Sequence, residues 1–214
     1  MKNKKIYTFL MLFLLFIFCI STKSHASNNE PSITSGSAIL LENSTSKVLF
    51  EKNMNEKLEP ASITKIMTAI LAIENCNLDD VVTVPYEAIS NIPSGYSVAP
   101  LQTDEQITVD QLLRVLMVHS ANDAANALAY HIDGSIPAFA ERMNAKLNAL
   151  GLKDSHFTNP SGQHDTNHYS TAHDIAILLQ YCMKNTTFKT YASLKSCQLS
   201  ATNKSEERCF QNTN

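Results

Sequence analysis

The chain has 214 residues, 44% of them hydrophobic and 17% charged, with a formal net charge of −3. That length is enough for one good core or two modest lobes. An acidic balance without a basic stripe argues against nucleic acid as a partner.

The first residues read as an export signal. Lys2, Lys4 and Lys5 form a basic n-region, and Ile6 to Ile20 is a mostly apolar run. Ser24-His25-Ala26 offers small residues at both positions that a signal peptidase reads, which places cleavage after Ala26. The apolar run is shorter than the roughly 20 residues a membrane span needs. Phe18 before Cys19 is too bulky for a lipidation box. The expected product is an exported, extracytoplasmic chain of residues 27–214 with no membrane anchor. Removing residues 1–26 takes four lysines and no acids, leaving 13 basic and 20 acidic residues, a net −7.

Ser37–Leu41 and Lys47–Phe50 are short apolar runs around a polar turn, the pattern of a β-hairpin. A lone hairpin is marginal in water and wants further strands beside it. Pro60 precedes a predicted helix from about Ser62 to Asn75, with Ile63, Ile66, Met67, Ile70, Leu71 and Ile73 spread around its axis. A helix apolar on nearly every side is buried. Val81–Val84 reads as a strand and Pro93-Ser94-Gly95 as a turn. Thr108 caps a helix that ends near His119, and a second runs through Ala124–His131. Ser135 with Pro137 starts another, stopped by Gly151. Thr171 and Asp174 form a capping-box pattern before Ile175, Leu178, Leu179 and Cys182. Beyond Asn185 the signals are weak.

Four cysteines follow the signal: Cys76, Cys182, Cys197 and Cys209. None forms a CxxC, so they do not suggest zinc. Isolated thiols or at most one bridge are expected, with Cys197–Cys209 the candidate pair. His164 and His168 are four apart, but in a loop rich in turn formers, where polar packing explains them better than a metal. No metal or other cofactor is expected. His119, adjacent to Ser120, is read as structural or flanking.

Chemistry enters at Ser62-Ile63-Thr64-Lys65 and Ser120-Ala121-Asn122. A serine hydroxyl needs a base to become a nucleophile. Three apart on a helix, Ser62 and Lys65 share a face. The helix N-terminus places backbone N–H groups and positive dipole near Ser62. Burial lowers the pKa of Lys65, as a base requires. Each piece also has a plainer reading: Ser62 as an N-cap, Lys65 as a snorkelling side chain, Ser120 as a cap with Asp123 as its partner. A second S-x-x-K, Ser44-Thr45-Ser46-Lys47, sits in the hairpin turn and carries no such meaning.

The neighbourhood of these motifs tips the balance. The segment from Ala61 to Ala69 resembles the nucleophile segment of serine-type D-alanyl-D-alanine carboxypeptidases, the low-molecular-mass penicillin-binding proteins. Ile92-Pro93-Ser94-Gly95-Tyr96-Ser97 is similar to their loop ahead of the second motif, and Ser120 to Ala125 to their S-x-N segment. His156 to Gly162 and His168 to Ala172 fit the same pattern, so the resemblance runs over roughly residues 35–185 in order.

The resemblance implies an α/β penicillin-recognising fold, the β-lactamase/transpeptidase-like sandwich of an antiparallel sheet and a helical lobe. It implies removal of the terminal D-alanine from a peptidoglycan stem peptide through an acyl-enzyme. Ser62 would be the nucleophile, Lys65 its base, Ser120 a proton relay to the leaving amine, and Asn122 a hydrogen-bond partner of the substrate's amide backbone. β-Lactams would acylate Ser62. The family's third motif, Lys-[Ser/Thr]-Gly, has only Lys189-Thr190-Tyr191 as its nearest match, with tyrosine in place of glycine and too early in the chain. Phe210–Asn214 looks like the segment just ahead of that motif. Residues 27–214 are therefore expected to be a catalytic domain incomplete at its C-terminus, lacking the last strands and the carboxylate clamp.

Two rivals follow. A class A-type β-lactamase needs a glutamate after the S-x-N motif, and none stands between Arg142 and Ser205. A non-catalytic fragment that binds penicillin or peptidoglycan is the alternative from another class.

Overall fold

The computed structural model describes residues 31–212, and the elements below belong to the unit that begins at Ser35. The export signal read in residues 1–26 lies outside the described residues, as do Thr213 and Asn214.

Strands β1 (Ala38–Leu41) and β2 (Val48–Lys52) pair antiparallel as the apolar runs suggest. The register slips between Leu40 and Leu41, leaving Leu49 as the extra residue of a bulge. Glu42 closes the turn, its carboxylate accepting from the N–H groups of Ser44 at 3.1 Å and Thr45 at 2.7 Å. Leu40 and Leu49 are 55% and 54% exposed, so the hairpin adds little to the core.

The core is built on α1, Lys65–Asn75, which buries seven residues from Lys65 to Ala72. The expected helix from Ser62 is modified here. Ala61–Thr64 forms a 3-10 turn, and Ala61 takes φ of +47°, outside the right-handed helical region, so regular α geometry starts only at Lys65. Strands β3 (Val81–Thr83) and β4 (Gln106–Thr108) pair antiparallel, with the short helix α2 (Tyr86–Ser90) between them.

Helix α3, Val109–His119, starts from Thr108 through a reciprocal capping box with Gln111. Helix α4 spans Asn122–Asp133, longer at both ends than the sequence suggests. Both pack against α1 and against each other. Ser135 caps α5 (Ile136–Ala149), accepting from Ala138 N at 3.2 Å. Past its end Gly151 takes φ of +75°. Helix α6, Ala172–Cys182, lies on α1 and β1. Thr171 caps it by accepting from Asp174 N at 3.0 Å, but the other half of the expected capping box is absent. The Asp174 carboxylate turns away to Asp154 N at 3.0 Å and Ser155 Oγ at 2.8 Å.

The weak region beyond Asn185 is ordered into three elements: α7 (Thr186–Ala192), β5 (Ser196–Leu199) and β6 (Arg208–Gln211). β5 and β6 pair antiparallel with Cys197 opposite Phe210 and Gln198 opposite Cys209. Directly opposite residues share a face and neighbours alternate, so Cys197 and Cys209 point to opposite sides. All four described cysteines are free thiols, and the candidate bridge is not formed. Glu105, fully buried, accepts from Gln102 N and Thr202 Oγ1, both at 2.9 Å, and pairs with the Arg208 guanidinium. That network ties β6 to the loop before β4.

The architecture is mixed α/β. Its strands form three separate two-stranded antiparallel ladders among the described residues, rather than one broad sheet. No helix among them is long and apolar enough to cross a membrane.

Candidate active site

Ser62 and Lys65 are brought together by the 3-10 turn, in which residues i and i+3 eclipse. Lys65 Nζ stands 3.1 Å from Ser62 Oγ. Ser62 itself is exposed, whereas Lys65 is only 3% exposed. Burial pushes the Lys65 pKa down to about 8, and the Asp123 carboxylate pulls it partly back. The arrangement is an accessible hydroxyl resting on a buried amine that is far more readily deprotonated than an ordinary lysine.

What fixes Lys65 comes from far along the chain. Its Nζ donates to the main-chain oxygen of Ser161 at 2.8 Å. Thr68 Oγ1 donates to Pro160 O at 2.6 Å, and Gly162 packs flat on the Ala61 carbonyl. The 159–163 loop closes on itself through Asn159, whose Oδ1 accepts from the N–H groups of Gly162 at 2.8 Å and Gln163 at 3.0 Å. The His168 ring stacks on Phe157 with centroids 5.1 Å apart and places Nε2 2.8 Å from Thr64 Oγ1.

Ser120 and Asn122 occupy the junction of α3 and α4, the two helices packed on α1. Ser120 has φ of +58°, a left-handed backbone that a non-glycine residue adopts at a cost of about 1–3 kcal/mol. Such strain concentrates at functional sites. Ser120 does not cap the following helix, whose N-cap position is Ala121 with no side-chain cap; it is instead the C-cap of α3, its N–H donating to Val115 O. Asn122 is 3% exposed, and its N–H donates to Ser97 O at 2.8 Å. The Ser120 hydroxyl and Asn122 carboxamide make no hydrogen bond to Ser62, Lys65 or any other described residue.

Asp123 does more than its sequence reading as a cap partner allowed. It is 2% exposed, and its carboxylate accepts from Ala99 N at 2.9 Å and Leu101 N at 3.0 Å. Burial raises its pKa, and the backbone donors work against that rise. Ser97 Oγ adds a bond to His119 O at 2.6 Å, so the loop after Pro93 is stitched to the S-x-N junction. The His119 ring lies against Phe210 with centroids 4.8 Å apart, the structural place expected for it.

Lys189-Thr190-Tyr191 lies in α7, not on a strand, and the Tyr191 hydroxyl donates to Asp110 at 2.6 Å. His164 and His168 face different partners: His164 Nδ1 is 2.9 Å from Glu59. No cluster of three or more potential metal ligands exists among the described residues.

The family model described as D-alanyl-D-alanine carboxypeptidase, of the S11 peptidases, matches residues 24–214. The chain belongs to the D-alanyl-D-alanine carboxypeptidase family. Among curated members it is 41% identical to DacF of Bacillus subtilis (strain 168) over 153 residues, covering 69% of this chain and 39% of that protein. It is 35% identical to DacD of Escherichia coli (strain K12) over 177 residues, 77% of this chain and 46% of that one. The chain thus spans less than half the length of the curated carboxypeptidases it matches.

Among solved structures, penicillin binding protein 6B from Escherichia coli superposes with a TM-score of 0.79 at 32% identity, over 89% of this chain and 61% of that one. A point mutant of the Streptomyces K15 DD-transpeptidase gives a TM-score of 0.81 at 30% identity, over 86% and 76%. The fold of this carboxypeptidase-family chain is therefore the α/β fold of the penicillin-binding DD-peptidases, as the motifs suggested.

Proposed function

We propose that the chain supplies the acylation machinery of a serine-type D-alanyl-D-alanine carboxypeptidase acting on a peptidoglycan stem peptide outside the cytoplasm. The observation that carries this reading is the buried Lys65 amine, 3.1 Å from an exposed Ser62 hydroxyl. A neutral Lys65 accepts the Ser62 proton as Oγ attacks the carbonyl of the penultimate D-alanine. One of its own N–H groups stays on Ser161 O, which keeps the lone pair aimed at Oγ. The tetrahedral adduct then expels the terminal D-alanine, whose nitrogen takes a proton relayed through Ser120. Asn122 offers its unpartnered carboxamide to the amide backbone of the substrate. Water attacks the resulting ester and frees Ser62, with Lys65 as base again. A β-lactam mimics the acyl-D-alanyl-D-alanine end with its carbonyl in a strained ring; opening leaves its nitrogen tethered to the acyl group, and the reaction stops at the ester.

The test is the intact mass of the 27–214 chain after exposure to benzylpenicillin, with Ser62→Ala beside it. An adduct of one penicillin that the alanine variant lacks supports the reading. A folded chain with no adduct supports the second one, a fragment that keeps the family's nucleophile but only binds penicillin or peptidoglycan.

A further inference from the structure

We propose that His168 is a positioning residue for the nucleophile turn: a neutral ring, protonated on Nε2, that donates to Thr64 and so holds Ser62 and Lys65 in register. The inference rests on the reading of Ser62 and Lys65 given above.

The tautomer follows from the partners. His168 Nδ1 lies 3.1 Å from the main-chain nitrogen of Thr158. That N–H can only donate, so Nδ1 must present its lone pair. The ring hydrogen is then on Nε2, which points at Thr64 Oγ1 from 2.8 Å. A second proton on the ring would set two donors against each other at Nδ1, in a site only 2% exposed. Phe157 covers one ring face. The charged or titratable groups around the ring are Asp165, Glu59 and His156; burial, helped by His156, outweighs the two carboxylates and lowers the His168 pKa to about 4. The ring is neutral throughout the range in which a cell envelope works.

Thr64 is fully buried and sits between the two reacting residues in sequence. The same ring also touches the base of the loop that presents the Ser161 carbonyl, through Thr158. His168 therefore joins the donor site for Lys65 to the turn that carries Ser62. Without it, the loop is held to the turn by Thr68, by the Gly162 contact and by Lys65 itself. The Ser161 carbonyl that aims the Lys65 lone pair is then less firmly placed against the turn that carries Ser62.

Nuclear magnetic resonance of histidine nitrogens in the purified chain gives the first test. His168 should keep one neutral, Nε2-protonated signal from pH 5 to pH 8, and Thr64→Val should shift it. Titration within that range, or a proton on Nδ1, overturns the proposal. The second test is the rate of acylation by benzylpenicillin. His168→Leu should slow it by about tenfold to a hundredfold, the scale set by small misplacements of reacting groups. His168→Gln, which retains a donor toward Thr64, should recover most of the rate. A leucine variant acylated at the unaltered rate overturns the proposal. Should the leucine variant fail to fold, Thr64→Val removes the acceptor and is held to the same rate criterion. Should the unaltered chain take no penicillin, the proposed function fails, and positioning is decided by the Lys65 titration instead. Its midpoint should move from about 8 toward 10.5 in His168→Leu, and an unmoved midpoint overturns the proposal.

Discussion

A Cβ on Gly162 would stand 1.8 Å from the main-chain oxygen of Ala61. Ala61 is itself in a left-handed backbone conformation, and Gly162 has φ of +79°. The Gly162 backbone meets the Ala61 carbonyl directly before Ser62. Gly162→Ala must either push the loop off the turn or distort the turn. The expected cost is roughly 3 kcal/mol, from overpacking and an unfavourable φ together. Denaturant unfolding measures it, and a change below about 1 kcal/mol would show that the contact yields easily.

Acylation should depend on pH through Lys65. With its pKa at about 8, the neutral fraction rises as pH climbs through that value. The benzylpenicillin acylation rate should therefore increase from pH 6 to pH 9 with a midpoint near 8. Folding stability follows the same group. Between about 8 and the ordinary 10.5 the unfolded chain binds more protons than the folded one. Lys65 thus contributes a stability that rises with pH across that window. A rate profile flat over the whole range would remove Lys65 from the role of base.

Asp123→Asn should act on both stability and pH profile. An amide cannot accept from all the N–H groups of Ala99, Leu101 and Ala124 that now converge on the carboxylate. One buried donor loses its partner, at a cost of roughly 2–4 kcal/mol. The negative charge that raises the Lys65 pKa disappears too. The acylation midpoint should shift to lower pH, and a shift upward would count against this electrostatic coupling.

Arg208→Ala should leave Glu105 as a fully buried carboxylate without its cation. Breaking one side of such a pair costs roughly 3–5 kcal/mol. Glu105→Gln in the same background should recover part of that loss, because it removes the uncompensated charge. Thermal melting of the single and double variants checks the order, and additive losses would contradict it.

The parts of the fold written in local chemistry were legible. Thr108 with Gln111 and Ser135 with Ala138 are caps whose donor and acceptor lie three residues apart. The proximity of Ser62 and Lys65 is legible for the same reason. Helix α7 was not, since its threonines are poor helix formers; burial of Phe188 and Tyr191 holds it. Strands β4, β5 and β6 are three or four residues long, too short for alternation to stand out. At the site, the Ser161 contact escaped because a main-chain carbonyl has no signature in the sequence. His168 was read as loop packing, and only the fold shows that Thr64 is its partner. Asp123 was visible as a cap partner, a role that hid its grip on residues 99 and 101.

The bonds that hold the nucleophile turn join residues 92 to 104 positions apart. Contacts of such separation close large loops and form late in folding. A chain emerging from its N-terminus therefore presents Ser62 long before the residues that tune Lys65 have arrived. Until residues 158–168 dock, Lys65 is a solvated ammonium and Ser62 an ordinary alcohol. The pairing of an exposed hydroxyl with a buried amine therefore exists only in the finished fold, and an unfolded or half-folded chain does not have it.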